Sequence, residues 1–194
     1  RVRTGRPWVT AKWAQTIDGR IAARGGHSQW ISGPRSRRMV HRARGRADAV
    51  LTGLGTVLAD DPELTPRHGR PRRVPVRVVA VPGAETPADG RLASTIALGP
   101  VIVAARADRV DGGDPAATRR ADRLRTRGVE VLALPPDRAG GAGVDLTMLL
   151  ETLSARGAAH VLVEAGGTLV GRLLAADLVQ TAWVFTGPRL LADG

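Results

Sequence analysis

The chain has 194 residues, 43% of them hydrophobic and 24% charged, which is the size and composition of one soluble globular domain. No apolar run approaches the roughly 18 residues that cross a bilayer, and residues 1–7 lack the apolar core of a signal peptide, so we expect a cytoplasmic protein without membrane contact. Cysteine is absent, which excludes disulfides, thiolate metal sites and thiol catalysis, and we expect no bound metal.

The net charge of +11, from 29 basic and 18 acidic side chains, raises the question of a polyanionic partner. Basic patches mark nucleic-acid binders, but these basic residues are spread along the chain, with no tyrosine and one phenylalanine to stack bases. Lys12 is the only lysine, so every other cation is an arginine, which suits phosphate groups. We therefore expect a phosphorylated small molecule as partner and no nucleic acid.

The first half of the chain alternates strand-like apolar runs with loops and one helix. Residues 8–14 alternate as a strand does, and the glycine-rich residues 19–29 follow as a loop. A short amphipathic helix is predicted over 36–46, with Pro34 where a helix can begin. Three more strands are predicted at 47–52, 76–81 and 101–105, with Gly53 and Gly55 opening a turn after the first of them.

The second half repeats strand and helix in turn. Helices are predicted over 116–127, 146–156 and 168–176, the first two closed by Gly128 and Gly157. Strands are predicted at 129–134, 160–164 and 181–185. Such repeated strand–helix–strand units imply an α/β fold, with a mostly parallel sheet flanked by helices on both faces. No internal repeat or break divides the chain, so residues 1–194 are expected to form a single domain.

Three clusters follow predicted strands, where an α/β sheet places its ligands. The first is Lys12 with the loop segments 18–22 and 28–32. A lysine inside an apolar strand is costly without a partner. The alternative is an edge strand with Lys12 facing water.

The other two clusters contain glycines. Gly53 and Gly55 would let the backbone approach a phosphate, although residues 60–62 are equally typical of a helix end and turn. Residues 164–169 combine a strand ending in Glu, small residues and a helix start, which is typical of an anion-binding turn. They do not fit the G-x-G-x-x-G fingerprint, so an ordinary Rossmann domain is not supported. The alternative is a plain glycine-containing turn.

Taken in order, the three clusters resemble the reductase domain of the RibD/RibG family, the bifunctional deaminase/reductases of riboflavin biosynthesis. The resemblance runs from residue 6 nearly to the C-terminus and is carried by residues 6–12, 18–22, 28–31, 53–62, 164–169, 178–179 and 187–191, with Arg44 and Arg67 between them. It implies a dihydrofolate-reductase-like fold, a homodimer, and use of NADPH. The implied reaction reduces the ribosyl group of 5-amino-6-(5-phosphoribosylamino)uracil to a ribityl chain.

The resemblance also assigns site residues by position. The implied NADPH contacts are Ala14, Trp30, Thr56, Asp60, Gly166, Gly167, Thr168 and Leu169. The implied contacts to the phosphorylated substrate are Ser28, Arg44, Leu64, Arg67 and Glu164. Two arginines can clamp a 5′-phosphate in bidentate fashion. We take Lys12 and Glu164 as the catalytic candidates, with Glu164 assisting sugar opening and Lys12 orienting the pyrimidine carbonyl.

The sequence departs from the family at three places. Val81-Pro82 stands where the family has Asp-Ser, which affects one NADPH contact, and Gln180-Thr181 stands where it has Asp-Glu. The family continues beyond Gly194, so C-terminal strands are expected to be missing here, and residues 1–6 resemble the end of an interdomain linker. A zinc deaminase needs an H-x-E…P-C-x-x-C signature, which this chain lacks, so any deaminase domain lies outside it.

Two alternatives remain open at the level of the sequence. One is a related reductase acting on a diaminopyrimidine ribosyl phosphate that keeps its 2-amino group, or on a pterin. The other is a catalytically inactive nucleotide-binding module of the same fold. The departures at 81–82 and 180–181 are the reason to consider it.

Overall fold

A computed structural model describes residues 5–24, 31–67 and 73–191. Its strands are β1 Trp8–Thr16, β2 Ala49–Gly53, β3 Val76–Ala80, β4 Val101–Arg106, β5 Glu130–Leu134, β6 His160–Glu164 and β7 Thr181–Gly187. They form one sheet in the order β5-β4-β3-β2-β6-β1-β7, and each neighbouring pair is parallel. The predicted α/β class is confirmed, and the sheet of the described residues is wholly rather than mostly parallel.

The helices pack against both faces of the sheet, as predicted. They are α1 Pro34–Arg44, α2 Leu54–Asp60, α3 Arg91–Ser94, α4 Ala107–Val110, α5 Pro115–Thr126, α6 Leu146–Ala155 and α7 Gly167–Ala175, with a 3₁₀ turn at Ile96–Leu98. Leucines of α6 and α7 cover one face in a cluster that includes Val9 and Val163. Side chains of α2 and α5 cover the other face against Val50, Val79 and Val103. Among the described helices, none has the length and apolar character to cross a membrane.

The predicted elements agree with the structure to within two residues at most ends. The prediction of a turn after the second strand is wrong, because Gly53 is extended (φ −117°) and helix α2 begins directly at Leu54. The single-turn helices α3 and α4 were not predicted, since four residues are too few to show a helical period.

The strand order decides the environment of Lys12. Strand β1 lies between β6 and β7, so the edge-strand interpretation of Lys12 is wrong. Strands β2, β6, β1 and β7 are also adjacent, and because they are parallel their carboxyl ends share one edge of the sheet. All three clusters predicted from the sequence follow these strands and therefore converge.

Candidate active site

A buried ion pair joins the last residue of α1 to the last residue of β6. Arg44 Nε donates to Glu164 Oε1 at 2.6 Å and Arg44 Nη2 donates to Oε2 at 2.9 Å, a bidentate arrangement. Burial raises the pKa of the Glu164 carboxyl. The positive charges of Arg44 above all, then of Lys12 and His41, lower the pKa by more than burial raises it, so the net pKa is below its ordinary value. Glu164 is therefore a carboxylate at neutral pH.

Lys12 lies beside this carboxylate in the middle of the sheet. Its register partners are Glu164 on β6 and Trp183 on β7, so the three side chains share one face. The negative charge of Glu164 offsets part of the cost of placing a half-buried ammonium in an internal strand. The structure thus brings together the two catalytic candidates predicted from the sequence.

The structure adds aromatic side chains that are not among the predicted site residues. Trp183 and Phe185 are half-buried on the Lys12 face, with ring centroids 5.5 Å apart and planes tilted by 55°. A signal was present, because both alternate along β7 with the exposed residues Ala182 and Val184. Only the pairing of β7 with β1 shows that this aromatic face borders Lys12.

Arg44 is also bound to the loop that carries the predicted substrate residues Leu64 and Arg67. Its Nη1 donates to the carbonyl oxygen of Thr65 at 3.2 Å. The nitrogens of Arg44 thus have acceptors within the protein, whereas Arg67 is exposed and lies 4.0 Å from a Glu63 carboxylate oxygen. The phosphate clamp predicted from Arg44 and Arg67 is therefore not preassembled.

Leu64 adopts the left-handed conformation (φ 59°), and its side chain is buried in the core. Only its backbone remains available to a ligand.

A second buried arginine holds the loop that contains Glu63 and Leu64. Arg77 on β3 is fully buried and donates from Nη1 to the Glu63 carbonyl at 3.3 Å and to Thr95 Oγ1 at 2.8 Å. Its Nη2 donates to the carbonyls of Thr95 and Gly99. Burial lowers its pKa, and Glu63 partly opposes the shift. The loop before β3 is thereby tied to the 3₁₀ turn before β4.

The predicted cofactor side consists of two helix starts at neighbouring strand ends. Gly53 precedes α2 and Gly166 precedes α7, and no side chain of the described residues caps either helix. The two starts approach closely, since a Cβ on Gly53 would lie 3.5 Å from Leu169 Cβ. Thr52 Oγ1 donates to the Glu164 carbonyl at 2.7 Å and fixes the two strand ends together. Uncapped N–H groups of this kind bind anions.

The remaining predicted cofactor residues lie around these helix starts. Gly166, Gly167 and Thr168 are exposed, whereas the Leu169 side chain is buried and offers a ligand only its backbone. Thr56 is half-buried in α2, Asp60 is exposed at its end, and Ala14 follows Lys12 on the same face of β1.

The loop after β1 lies against the start of α7. A Cβ on Gly167 would lie 3.2 Å from Ile21 Cδ1. Ser28 and Trp30 lie outside the described residues.

The departure at Val81-Pro82 leaves the sheet intact. Val81 is buried in the apolar cluster and its N–H donates to the Ala104 carbonyl at 3.0 Å. The carbonyl of Pro82 accepts from Arg106 N at 3.0 Å, which continues the pairing with β4. Pro82 itself has no N–H and no hydroxyl to offer a cofactor at this edge.

The departure at Gln180-Thr181 has a structural explanation. Gln180 Oε1 accepts from Val9 N at 2.8 Å, and Gln180 N donates to the Val9 carbonyl. Thr181 Oγ1 accepts from Trp8 Nε1 at 3.0 Å. Both residues fasten the start of β7 to the start of β1, away from the carboxyl edge, so they give no support to an inactive module.

The fold and the site define an α/β protein with a ligand site at the carboxyl edge of a parallel sheet. In the part of the chain that the structure covers, no group of three or more His, Asp or Glu side chains is placed to hold a metal. Comparison with known proteins identifies the family: the RibD C-terminal domain matches residues 7–193. The chain belongs to this family.

Individual relatives agree with the family match. The RibD riboflavin biosynthesis protein of Aquifex aeolicus is 31% identical over 97% of this chain, which spans 48% of that protein. The 2,5-diamino-6-ribosylamino-4(3H)-pyrimidinone 5′-phosphate reductase of Methanothermobacter thermautotrophicus is 36% identical over 96% of the chain and 80% of its own length. The chain therefore spans about half the length of the RibD protein and most of the Methanothermobacter reductase.

A solved structure supports the fold. The diaminohydroxyphosphoribosylaminopyrimidine deaminase/5-amino-6-(5-phosphoribosylamino)uracil reductase of Thermotoga maritima aligns with a TM-score of 0.76 and 29% identity. The alignment covers 100% of this chain and 48% of the Thermotoga maritima chain. The dihydrofolate-reductase-like architecture implied by the resemblance is confirmed.

Proposed function

We propose that this chain is an NADPH-dependent reductase that converts the ribosyl group of 5-amino-6-(5-phosphoribosylamino)uracil into a ribityl chain in riboflavin biosynthesis. The observation that carries the proposal is the ionised Glu164 carboxylate, held by Arg44 and flanked by Lys12 at the carboxyl edge of the sheet. Family membership and the uncapped helix starts beside it support a dinucleotide and a phosphorylated substrate.

The described residues fit a dinucleotide phosphate. The α7 start has exposed glycines, and a Cβ at Gly166 would meet no atom within 4 Å, so a phosphate has room to approach the backbone. We assign NADPH contacts to Ala14, Thr56, Asp60 and residues 166–169, together with Trp30. When bound, NADPH supplies the hydride that reduces C1 of the opened sugar.

Glu164 acts as a hydrogen-bond acceptor in this proposal. Because its carboxylate is ionised, it accepts from a sugar hydroxyl and cannot donate a proton during ring opening. Arg44 holds it in place, which is a positioning role rather than direct phosphate binding. The adjacent Lys12 ammonium donates to the pyrimidine carbonyl.

The 5′-phosphate is left to the exposed Arg67, with Ser28 and the backbone of Leu64. Arg67 sits at the rim of the site with Glu63 as its neighbour, so it can turn to a doubly charged phosphate at little cost.

The test is NADPH oxidation by the purified chain with three candidate substrates. We expect turnover with 5-amino-6-(5-phosphoribosylamino)uracil, slower turnover with the 2,5-diamino-pyrimidinone phosphate, and none with dihydrofolate. NADH in place of NADPH is expected to be the poorer reductant. Binding of NADPH without oxidation by any substrate would contradict the proposal and favour the inactive module.

We further propose that the natural protein is a cytoplasmic homodimer and carries a deaminase domain outside this chain. The half-length coverage of RibD proteins supports the second domain. Light scattering on the purified chain tests the dimer, and a monomeric mass at micromolar concentration would contradict it.

A further inference from the structure

Strand β7 presents an aromatic surface to the Lys12 side of the site. Trp183 lies in register with Lys12, and Phe185 lies in register with Ala14, the next residue along β1 on that face. Both aromatic side chains are half-buried, and the tilted Phe185 ring supports the indole from one side. The Trp183 side chain therefore stays partly accessible on the sheet face that carries Lys12.

Glu164, Lys12 and Trp183 form a row across three adjacent strands. Neighbouring strands lie about 4.8 Å apart, so the row spans about 10 Å between the backbones of Glu164 and Trp183. Its chemistry changes along that length, from a hydrogen-bond acceptor through a cationic donor to an aromatic surface. A substrate with a sugar at one end and a planar, carbonyl-bearing heterocycle at the other matches this order.

We propose that Trp183 is the stacking wall for the pyrimidine ring of the substrate. This inference rests on the proposed function and assigns the base-binding part of the same site. The pyrimidine lies against the Trp183 indole, its carbonyl accepts from the Lys12 ammonium, and the sugar extends toward Glu164. Base–aromatic stacking depends on ring area and needs no particular hydrogen-bond pattern.

The test compares Trp183→Leu with Trp183→Phe in steady-state kinetics. Loss of stacking in Trp183→Leu should raise KM for the pyrimidine substrate about 5- to 100-fold. We expect kcat to change little and the Kd for NADPH to stay at the wild-type value. The Trp183→Phe variant should recover most of the KM effect, because it keeps an aromatic surface.

Trp8→Leu is the matched control. Trp8 is a tryptophan on the same face of the sheet, but it lies at the start of β1, far from the carboxyl edge, and is 54% exposed. We expect its KM to equal that of the wild type. An unchanged KM in folded Trp183→Leu, or an equal loss of NADPH affinity in that variant, would overturn the inference.

A binding measurement separates this inference from the proposed function. Titration of the wild type with the pyrimidine ribosyl phosphate should quench tryptophan fluorescence, and Trp183→Phe should lose that quenching while still binding the ligand by calorimetry. If the wild type binds the pyrimidine but oxidises no NADPH, the proposed function fails and the quenching result still decides the role of Trp183. If quenching persists in Trp183→Phe, the indole is not the wall.

Discussion

One face of the sheet has two halves that do different work. Over β3 and β4 it carries Val79 and Val103, which are fully buried against the helices. Over β6, β1 and β7 the same face carries Glu164, Lys12 and Trp183. The apolar half supplies the burial that holds the sheet, and this leaves the other half able to keep charged and aromatic groups at its edge. The apolar half therefore contributes to stability alone, whereas the polar half contributes to chemistry and, through the buried Arg44–Glu164 pair, to stability as well.

The largest expected effect is that of Glu164→Gln in the polar half. It should lower kcat by at least about 100-fold, since it removes a charged group from the reacting sugar. It should also lower the free energy of unfolding by about 3–5 kcal/mol, because Arg44 is left buried without its partner. Turnover is measured by NADPH oxidation and stability by urea denaturation.

Glu151→Gln, on the exposed surface of α6, is the control for the loss of one carboxylate. It should leave both quantities unchanged. Near-normal turnover in Glu164→Gln would remove Glu164 from the mechanism.

Leu149→Ala tests apolar packing without altering the polar half of the sheet face. Leu149 is fully buried in α6 against the other face of the sheet, so the cavity should cost about 2–5 kcal/mol of unfolding free energy. Because Leu149 packs on the face of the sheet opposite Lys12 and Glu164, kcat and KM of the folded enzyme should not change. A KM shift comparable to that of a site variant would show that core and site are coupled.

Arg77→Met is expected to combine a smaller stability loss with a specific binding defect. The carbonyls of Glu63, Thr95 and Gly99 lose a buried donor, which should cost about 1–3 kcal/mol. The loop that carries Arg67 loses its anchor, so KM for the phosphorylated substrate should rise while the Kd for NADPH stays constant.

Arg91→Met is the matched control, because Arg91 also contacts Glu63 but is about half exposed and should change stability little. Parallel losses of substrate and NADPH affinity in Arg77→Met would contradict a loop-specific role.

The smallest expected effect is a slope of stability with pH. Burial lowers the pKa of His160 below its ordinary value of 6.5, so the folded state favours the neutral imidazole. The free energy of unfolding therefore falls as the pH drops below 6.5, because the unfolded chain then binds a proton more readily than the folded one. The lowered pKa of Glu164 adds a second loss below pH 4.5. Urea midpoints measured from pH 7 downward should show both steps, and His160→Gln should remove only the first. A flat profile above pH 4.5 in the wild type would contradict the assignment to His160.

The elements that the sequence predicted well are those with long periodic patterns. The strand at 160–164 matches β6 residue for residue, and the α6 helix begins at the predicted residue. Short elements such as α3 lack a period. The pattern at Gly53 predicts a turn where a helix begins, because glycine favours both turns and helix starts.

The candidate site was predicted in composition but not in arrangement. The sequence indicated Lys12, Arg44 and Glu164, whereas the pairing of Arg44 with Glu164 became visible only in the structure. That contact joins residues 120 positions apart and depends on where α1 ends relative to β6. Trp183 was missed for the same reason, because nothing local distinguishes a core aromatic residue from one that borders a lysine on another strand.

The sequence by itself determined the α/β class, the absence of thiol chemistry and, to within two residues, where the strands end, since these follow from composition and local periodicity. Only the tertiary structure decided that β1 lies between β6 and β7, that Lys12 is internal, and that an acidic and an aromatic neighbour flank it. Strand order is a long-range property of the packed chain, because parallel neighbours are joined by crossovers rather than by hairpins whose turns would show in the sequence.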